Sequence, residues 1–380
     1  MPTVMMSCGE ASGDLYAGAL ALELQRLAPG VRIFGIGGEK MHAAGAELVG
    51  DYRGLAVTGL VEALRVVPRS FSLLRRLRER MARDRPDVLV VIDFPDFNFR
   101  LAASARALGI PVVYYVSPQI WAWRAGRIKT VKQVASKVLV IFPFEKKFYE
   151  DAGVPVEFVG HPLPDLIQVT EPRERLLAGV GLDPTAPTIA LLPGSRPNEV
   201  RSILPNLAEA ATLIRQRVPS AQFVIARAPK LSDQMFEPFS RFAGPSAIVS
   251  GRADDVLHAS DVVITASGTA TVQAALHGKP MVIVYRLAPL TYKMGRRFVK
   301  VDTFGMVNLL AGRRIVPELI QDDFTPARVA DEAVGLLTDP ARAADMRRAL
   351  AEVRDALGEP GASRRAAEAV LSVAMAHAPA

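Results

Sequence analysis

Two carboxylates follow an uninterrupted apolar run in the first half of the chain. Asp93 comes directly after residues 88–92, which are all apolar, and Asp96 comes three residues later. Such a run is typical of a strand that is buried on both faces of a parallel sheet. Because a buried carboxylate is costly without solvent or a partner, we expect the pair to be exposed in a cleft at the end of the strand, which is where open α/β sheets bind their ligands. In the alternative interpretation, Asp93 only caps the next helix and Asp96 lies in its first turn.

A second segment with chemical potential is the loop SCGEASGD, residues 7–14, which follows the first apolar run and opens a helix. Glu10, Ser12 and Asp14 are available as polar contacts for a ligand, and Gly9 and Gly13 let a ligand approach backbone N–H groups. The loop does not match GxGxxG and lacks the acidic residue that binds ribose in dinucleotide-binding proteins, so a dehydrogenase is not indicated. The alternative is an ordinary turn between a strand and a helix.

Two loops in the second half of the chain are candidates for binding a diphosphate. Each follows a strand-like run and precedes a helical pattern, so that N–H groups and hydroxyls surround a helix N-terminus. Their candidate residues are Gly194, Ser195 and Arg196 in the first loop and Ser267, Gly268 and Thr269 in the second. Neither loop has the Walker A sequence, so the phosphates are expected to be a leaving group or an anchor and not part of ATP hydrolysis. A structural role for either loop is the alternative.

Both tryptophans of the chain lie in one segment, SPQIWAWR, at residues 117–124. The candidate contacts there are Ser117, Gln119, Trp121 and Arg124. Aromatic faces beside amide and charged groups recognise sugars and acyl chains, so this segment is predicted to contact the substrate. The alternative is that it packs at the edge of the core.

The rest of the chain alternates short apolar runs with helical patterns, which predicts an α/β fold of two doubly wound, Rossmann-like domains that face each other across a cleft. The predicted strands are 4–7, 32–36, 88–92, 111–116, 137–141 and 157–159 in the first domain, and 188–192, 222–226, 247–249, 261–265 and 280–285 in the second. The stretch 160–165 contains prolines and marks the junction. The predicted boundaries are therefore 1–165, 166–345 and a C-terminal helical segment, 346–380, that crosses back or exchanges in a dimer. His161 at the junction is interpreted as a hinge residue bonded to backbone, with a role as a base as the alternative.

The distribution of charge predicts a membrane-binding surface. The chain has 380 residues and a net charge of +7, and residues 60–86 carry eight arginines against three acidic residues. Val66, Val67 and Phe71 on an apolar face and Arg69 and Arg76 on a basic face predict a helix that docks on an anionic membrane. The alternative is a helix that packs on the sheet and leaves its arginines in solvent. No nucleic-acid-binding motif occurs, so a nucleic-acid partner is not expected.

The remaining bulk features concern location. The N-terminus has no signal-peptide pattern, and no window approaches the apolar length of a membrane span. The single cysteine, Cys8, excludes an internal disulfide and fits a reducing compartment. These features predict a cytoplasmic protein, associated peripherally with the inner face of the cytoplasmic membrane.

In combination, the motifs resemble those of the lipid-A-disaccharide synthase family, bacterial inverting glycosyltransferases with the two-Rossmann-domain (B-type) fold. The segments that carry the resemblance are GEASGD at 9–14, IDFPDFN at 92–98, YVSPQIWAWR at 115–124, FPFEKKFY at 142–149, VGHPL at 159–163, LLPGSR at 191–196, ASGTAT at 266–271 and NLLAGR at 308–313. They span nearly the whole chain, and their order and spacing are more specific than any one of them.

The resemblance implies transfer of 2,3-diacylglucosamine from UDP-2,3-diacylglucosamine to the 6-hydroxyl of 2,3-diacylglucosamine 1-phosphate. The reaction inverts the anomeric carbon and gives a β-1,6 disaccharide 1-phosphate and UDP. The first domain is implied to bind the acceptor and the second domain the UDP group. Asp93 matches the position expected of the general base, and Glu10, Ser12, Asp96 and Asn308 match further polar positions; whether Asp93 or Asp96 is the base stays open. A homodimer through the C-terminal segment is also implied.

One position departs from the pattern of the family. Related enzymes commonly have Glu where this chain has Gln273, which keeps one carbonyl acceptor for the ribose hydroxyls and loses the charge. No Asp-x-Asp sequence occurs, so we expect helix N-termini and arginine to neutralise the leaving diphosphate, with no metal and no cofactor.

Two other functions remain as alternatives. A UDP-sugar 2-epimerase has the same architecture and would act on a UDP-sugar without an acceptor. A nucleotide-binding module without catalytic activity would not depend on Asp93.

Overall fold

The computed structural model describes residues 1–54, 60–123, 125–229, 231–286 and 303–377, without the side chains of residues 60–66, 122, 123 and 125. Within these residues the chain forms two compact units. The first unit comprises residues 1–166 and 357–377, and the second comprises residues 167–286 and 303–356. Among the predicted site residues, Arg124 and the side chain of Val66 lie outside the described part.

The first unit alternates strands and helices. Its strands are β1 (Thr3–Cys8), β2 (Arg32–Gly37), β3 (Glu47–Asp51), β4 (Val88–Ile92), β5 (Val112–Tyr115), β6 (Lys137–Val140) and β7 (Val156–Phe158). Its helices are α1 (Ala11–Leu27), α2 (Glu39–Ala43), α3 (Leu60–Asp84), α4 (Pro95–Ala107), α5 (Ile120–Trp123), α6 (Ile128–Val134), α7 (Pro143–Asp151) and α8 (Leu163–Leu166). Short 3-10 turns lie at Tyr52–Gly54 and Ala125–Arg127.

The strands of the first unit form one parallel sheet, in the order β3-β2-β1-β4-β5-β6-β7. Strand β4 is the central strand of this sheet, and all of its residues are buried, as its uninterrupted apolar sequence predicts. The chain turns to opposite sides of the sheet after β1 and after β4, which are neighbours. The loops after these two strands therefore leave a crevice at the carboxyl ends of the strands, the usual ligand position in a doubly wound sheet.

Helices cover both faces of this sheet. Leu73 and Leu77 of α3 and Leu101 of α4 pack with Met5 and Val91 on one face. Helix α1 covers the opposite face together with the last helix of the chain, α17 (Ala362–Ala376). The alternative prediction for residues 60–86, a helix packed on the sheet, is therefore correct for the buried leucines, while several of its arginines remain exposed.

Helix α17 belongs to the first unit although it ends the chain. The His161 N–H donates to the carbonyl of Leu357 at 2.8 Å, and the Gly361 N–H donates to Asp165 Oδ1 at 2.7 Å. The Arg365 guanidinium donates to three backbone carbonyls, among them that of Val159 at 2.9 Å. In the structure, residues 357–377 therefore pack with the first unit.

The second unit repeats the architecture. Its strands are β8 (Thr188–Leu192), β9 (Gln222–Arg227), β10 (Ser246–Ser250), β11 (Val262–Ala266), β12 (Met281–Tyr285) and β13 (Glu318–Ile320). They form a parallel sheet in the order β10-β9-β8-β11-β12-β13. Its helices are α9 (Arg173–Gly179), α10 (Pro197–Arg217), α11 (Glu237–Ser240), α12 (Ala253–Ala259), α13 (Thr269–Leu276), α14 (Met306–Ala311), α15 (Pro326–Thr338) and α16 (Pro340–Ala356).

Two strands were not predicted from the sequence, β3 and β13. Both lie at a sheet edge, and neither has an apolar run: β3 reads ELVGD and β13 reads ELI. An edge strand is buried less than a central one, so its sequence keeps polar residues and the pattern that reveals central strands is absent.

The attachment of α17 provides a stability test. Replacing Arg365 by Ala removes three charge-assisted hydrogen bonds to backbone carbonyls, and we expect a loss of about 1.5–3 kcal/mol in the free energy of opening this helix. Arg364→Ala is the matched control, because that exposed side chain makes only an i,i+4 pair with Glu368, for which about 0.5 kcal/mol is expected. Hydrogen exchange of the α17 amides measures both. Equal protection in the two variants would contradict the role of Arg365.

Candidate active site

The backbone is left-handed where β4 and β5 end. Asp93, Phe94 and Val116 have φ angles of 45°, 50° and 54°. Such values are uncommon outside glycine, and they are least favourable for a β-branched residue such as valine. Strain of this kind persists only where the surrounding structure holds it, and it is concentrated at functional sites. This observation draws attention to the edge of the sheet around Asp93.

Hydrogen bonds hold the backbone of Asp93. Its carbonyl accepts from Asn98 Nδ2 at 2.7 Å and from Tyr114 Oη at 3.0 Å. Its N–H donates to the carbonyl of Val116 at 3.2 Å. The Asn98 side chain is completely buried, and its Oδ1 accepts from Ser7 Oγ at 2.6 Å. Asn98 therefore ties the end of β1 to the end of β4 and holds the backbone from which the Asp93 side chain extends.

The two carboxylates of the IDFPDFN segment have different environments. Asp93 is half-buried, whereas the Asp96 side chain is 77% exposed and accepts a hydrogen bond from Arg127 at 2.6 Å. The N-cap residue of α4 is Phe94, not Asp93 as in the alternative interpretation, and the Phe94 side chain makes no capping hydrogen bond. The second part of that interpretation is correct, because Asp96 lies in the first turn of α4.

The loop after β1 lies next to Asp93, because β1 pairs with β4 in the sheet. A Cβ on Gly9 would come within 2.0 Å of the Phe94 ring, so only glycine allows the two loops to pack this closely. Glu10 is the N-cap residue of α1 and Ser12 lies in its first turn, and both are half-buried. The sheet thus brings these two predicted residues to the same edge as Asp93.

Asp14, the last residue of the GEASGD motif, has a structural role. It is buried, and its carboxylate accepts hydrogen bonds from the backbone N–H groups of Gly38 at 2.7 Å, Lys40 at 3.0 Å and Met41 at 3.1 Å. These contacts satisfy the free N–H groups at the start of α2. The motif therefore combines candidate ligand contacts with a residue that builds the fold.

A buried carboxyl outside the predicted site residues lies in the first turn of α7. Glu145 is 1% exposed, and it accepts hydrogen bonds from Trp121 Nε1 at 3.1 Å and from the Phe142 N–H at 3.3 Å. Burial, together with a smaller contribution from the negative charge of Asp93, raises the pKa of Glu145 to about 7, although these hydrogen bonds lower it. The signal in the sequence was Pro143 followed by Glu at the third helical position, which indicates a helix start but not a buried acid.

The SPQIWAWR segment divides between core and surface. Trp121 is half-buried, and its ring packs edge-on against Phe144 with 4.8 Å between centroids. Gln119 is exposed, whereas Ser117 is buried and its Oγ lies 2.6 Å from Tyr149 Oη. Trp121 and Gln119 therefore remain accessible to a substrate, and the Ser117 hydroxyl is used within the protein.

His161 is a structural residue. It is 3% exposed, its Nδ1 accepts from the Leu163 N–H at 3.1 Å, and it packs against Tyr16 and Phe142. Burial lowers the pKa of its imidazole to about 3, so the ring is neutral at physiological pH. The prediction of a hinge histidine bonded to backbone is correct.

In the second unit, the first predicted phosphate loop is occupied by a side chain of the protein. Glu199 Oε2 accepts from the N–H groups of Ser195 at 3.1 Å and Arg196 at 3.2 Å, and Glu199 Oε1 lies 3.1 Å from Arg196 Nη1. Gly194 has φ 114°, and a Cβ there would lie 2.5 Å from Glu199 Oε2. The donors of an anion site are present, as predicted, but a phosphate that binds there has to share them with Glu199 or displace it.

The second predicted phosphate loop is more open. Gly268 is exposed with φ 146°, and no atom of the described residues lies within 4 Å of the position that a Cβ would take. Thr269 begins α13, and the half-buried Ser267 donates from Oγ to the carbonyl of Phe304 at 3.4 Å. The loop therefore combines a helix N-terminus with free space, as binding of an anion requires.

Gln273 lies one turn into α13 beside a carboxylate. Its Nε2 donates to Asp254 Oδ1 at 3.4 Å, and the same oxygen lies 3.1 Å from His277 Nε2. A glutamate at this position would place two carboxylates against each other. Gln273 avoids this repulsion with the neighbouring Asp254.

Asn308 is part of the framework of the second unit. It is 1% exposed, its Nδ2 donates to Val316 O at 2.9 Å and to Glu318 Oε1 at 2.7 Å, and its Oδ1 accepts from the Ile315 N–H at 2.7 Å. Glu318 also accepts from the Gly305 N–H at 2.8 Å. Asn308 was predicted to contact the sugar. Its amide is not free for such a contact, because it already bonds to the loop around α14.

Among the described residues, no group of three or more His, Cys, Asp or Glu side chains is placed to hold a metal ion.

Comparison with known proteins gives a consistent result over the whole chain. A family model described as lipid-A-disaccharide synthetase matches residues 4–373. The lipid-A-disaccharide synthase of Geobacter sulfurreducens is 45% identical over 374 residues, which cover 97% of each chain. That of Myxococcus xanthus is 44% identical over 375 residues, which cover 98% of this chain and 97% of the relative.

Solved structures with a similar fold include a UDP-GlcNAc 2-epimerase from Neisseria meningitidis bound to UDP-GlcNAc, with a TM-score of 0.69, 14% identity and coverage of 97% of this chain and 100% of that one. The calicheamicin glycosyltransferase CalG4 has a TM-score of 0.63 and 19% identity, and both chains are fully covered. At these identities the similarity concerns the fold alone.

The Glu145–Trp121 contact leads to a spectroscopic prediction. Glu145 is neutral below about pH 7 and ionised above it, so the Trp121 emission should change with a midpoint near pH 7. In a Trp123→Phe background, Glu145→Gln should abolish this titration. Glu150→Gln is the matched control, since Glu150 is an exposed acid on the same helix, and it should leave the titration intact. A midpoint near 4.5 in the unsubstituted protein, or a titration that survives Glu145→Gln, would contradict the assignment.

Proposed function

The chain belongs to the lipid-A-disaccharide synthetase family, and from this membership we propose how its residues carry out the reaction. The protein is a glycosyltransferase that moves 2,3-diacylglucosamine from UDP-2,3-diacylglucosamine to the 6-hydroxyl of 2,3-diacylglucosamine 1-phosphate. The reaction inverts the anomeric carbon and releases UDP. The observation that carries this assignment is the match to the family over residues 4–373.

We propose that Asp93 is the general base. Inverting transfer needs a base beside the acceptor hydroxyl, whose proton becomes acidic as the new bond forms. Asp93 is half-buried and its backbone is clamped by Asn98 and Tyr114, so its carboxylate has a defined position. Asp96 is exposed and paired with Arg127, which makes it the weaker candidate. Glu10, on the neighbouring loop, is proposed to orient the acceptor together with Ser12.

The UDP group is proposed to bind to the second unit at the N-termini of α10 and α13. Ser195 and Arg196 would contribute N–H and guanidinium donors, and the loop from Ser267 to Thr269 would contribute further donors around the second phosphate. These groups stabilise the negative charge that develops on the leaving diphosphate. Gln273 would offer its amide oxygen to the ribose.

The acceptor is proposed to bind to the first unit. Trp121 offers an aromatic face for the sugar or its acyl chains, and the exposed Gln119 offers an amide. Glu145 holds the Trp121 indole through its hydrogen bond at 3.1 Å. Asn308 is proposed to act indirectly, by fixing the loop around α14.

We further propose that α3 docks on an anionic membrane and that the protein works at the inner face of the cytoplasmic membrane. Val67 is 44% exposed and Phe71 is 53% exposed on a helix rich in arginine, which supports this proposal. None of the helices among the described residues has the length and apolar character needed to cross a bilayer.

The homodimer that the resemblance implies also stays a prediction. A single monomeric species in sedimentation velocity would contradict it.

The function is tested by incubating the purified protein with UDP-2,3-diacylglucosamine and 2,3-diacylglucosamine 1-phosphate, with and without a chelator, and measuring the disaccharide. Loss of a general base lowers kcat by about 10²–10⁴-fold, and we expect this for Asp93→Asn. The matched control Asp96→Asn should retain kcat within about threefold, because the Asp96 carboxylate is exposed and forms an ion pair with Arg127.

Three results would contradict these assignments. Conversion of the UDP-sugar to an isomer in the absence of acceptor would favour an epimerase. Full activity of Asp93→Asn would exclude Asp93 as the base. Loss of activity only in Asp96→Asn would transfer that role to Asp96.

Membrane docking is tested by sedimentation with vesicles. Binding to anionic vesicles should exceed binding to neutral vesicles, and it should fall as salt is raised from 0.05 to about 0.5 M, because screening weakens attraction between surface charges. Phe71→Ser should weaken binding to anionic vesicles at every salt concentration. Equal binding to neutral and anionic vesicles would refute the electrostatic part of the proposal.

A further inference from the structure

The first unit contains a cavity of about 620 Å³ at the carboxyl end of β3. Its walls come from this strand end, from the turn that follows it and from α3. Three arginines line it: Arg53 from the turn, and Arg69 and Arg76 from the helix. The cavity is much larger than an inorganic phosphate needs and has the volume of a small-molecule site.

The charges of the three arginines are balanced to different degrees. Arg53 is bonded to Asp51 and lies 3.0 Å from Glu39, so carboxylates offset its charge. Arg76 donates to the carbonyl of Val49, which is a neutral acceptor. Arg69 has no hydrogen-bond or ion-pair partner among the residues that the structure describes. Asp51 also lines the cavity, so one carboxylate lies beside three guanidinium groups, and Arg69 and Arg76 form no ion pair among the described residues.

The shape of the cavity follows from the local sequence. Arg69, Ser72, Leu73 and Arg76 are spaced i, i+3, i+4 and i+7, so they share one side of α3. Gly50 lets the strand end approach this side, since a Cβ on it would lie 2.5 Å from Leu73 Cδ1. The Ser72 hydroxyl adds one neutral donor beside the guanidinium groups. Guanidinium forks with a hydroxyl are suited to the oxygens of a phosphate.

The strand register places the cavity on the same edge of the sheet as Asp93. Asp51 pairs with Gly37, Ile36 pairs with Ser7, and Ser7 pairs with Val91, so the ends of β3, β2, β1 and β4 are level. Three steps between strands, at roughly 4.8 Å each, separate the backbones at the two ends by about 14 Å. Arg53 belongs to the turn after β3, whereas Arg69 and Arg76 reach the same cavity from α3.

The acceptor of the proposed reaction carries two separate groups on one sugar ring: the anomeric phosphate on C1, and the reacting 6-hydroxyl on the CH2 group attached to C5. We propose that the cavity at the end of β3 binds the anomeric phosphate of the acceptor through Arg69 and Arg76. This inference rests on the proposed function. It assigns an acceptor-recognition role to two arginines that the sequence indicated only as membrane contacts.

An anionic lipid headgroup offers the same phosphate chemistry, but the geometry of α3 favours the acceptor. Val67 and Phe71 are the exposed apolar residues of α3 that are expected to enter a bilayer, and each is two residues, roughly 200° around the helix, from Arg69. Arg69 and the cavity therefore occupy a different side of α3 from these two residues.

The test compares two acceptors, 2,3-diacylglucosamine with and without its 1-phosphate, in micelles of a neutral detergent. The measured quantity is the ratio of kcat/KM for the phosphorylated acceptor to kcat/KM for the dephosphorylated one. In the double variant Arg69→Gln/Arg76→Gln this ratio should fall roughly ten- to a hundredfold, the effect of two charge-assisted hydrogen bonds near solvent. KM for the UDP-sugar should not change.

Two further variants make the result specific. Arg75→Gln/Arg78→Gln removes the same net charge from the same helix and should leave the ratio unchanged. These two side chains have other partners: Arg75 Nε lies 3.4 Å from Glu79 Oε1, and Arg78 donates to the Arg100 carbonyl. Arg69→Lys/Arg76→Lys keeps the charge and should recover part of the ratio. This rescue, together with an unchanged thermal midpoint, separates recognition from a loss of folding.

The proposal is overturned if the ratio is unchanged in Arg69→Gln/Arg76→Gln, or if the control pair lowers it equally, which would indicate the general field of α3. An unchanged ratio with weaker binding to anionic vesicles would assign the cavity to a lipid headgroup. Absence of disaccharide from either acceptor with the unsubstituted protein is a different outcome, because it refutes the proposed function itself.

Discussion

The buried side chain of Asn98 fixes the geometry on which the candidate active site depends. It accepts from Ser7 at the end of β1 and donates to the carbonyls of Ile92 and Asp93 at the end of β4. A buried amide that loses its partners carries the full cost of desolvation, so these bonds are retained together. They join β1 and β4, the two neighbouring strands after which the chain turns to opposite faces of the sheet. They also hold the left-handed backbone of Asp93. The remaining groups of the first unit are placed relative to this junction.

Chemical groups follow one another along the carboxyl edge of the seven-stranded sheet. The arginine-lined cavity lies at the end of β3, the Asp93 carboxylate at the end of β4, and Trp121 with Glu145 beyond the ends of β5 and β6. Parallel strands make this order possible, because all of their carboxyl ends meet at one edge. This spatial order of a cationic region, a carboxylate and an aromatic region suits an acceptor that carries a phosphate group, a sugar hydroxyl and acyl chains.

Several residues that look catalytic in the sequence serve the frame instead. Asp14 and Asn308 are buried and saturated with hydrogen bonds to backbone groups, and His161 is buried and neutral. Glu199 did not look catalytic in the sequence, yet it lies in the candidate site. This helix-capping glutamate accepts hydrogen bonds from N–H groups that the nucleotide is expected to use. Polar residues in these loops have to satisfy the backbone before they can serve a ligand, since unpaired N–H groups at helix starts are costly.

The sequence by itself determined the α/β class, most of the central strands, the family and the edge of the sheet at which the chemistry lies. These follow from apolar runs and loop motifs, which depend on residues close together in the chain. Only the tertiary structure decided that Asp93 is held and Asp96 is exposed, that Glu145 is a buried acid, and that the edge strands β3 and β13 exist. The physical reason is that burial and hydrogen bonding depend on neighbours distant in sequence. Ser7 and Asn98 are 91 positions apart, and no local pattern records their contact.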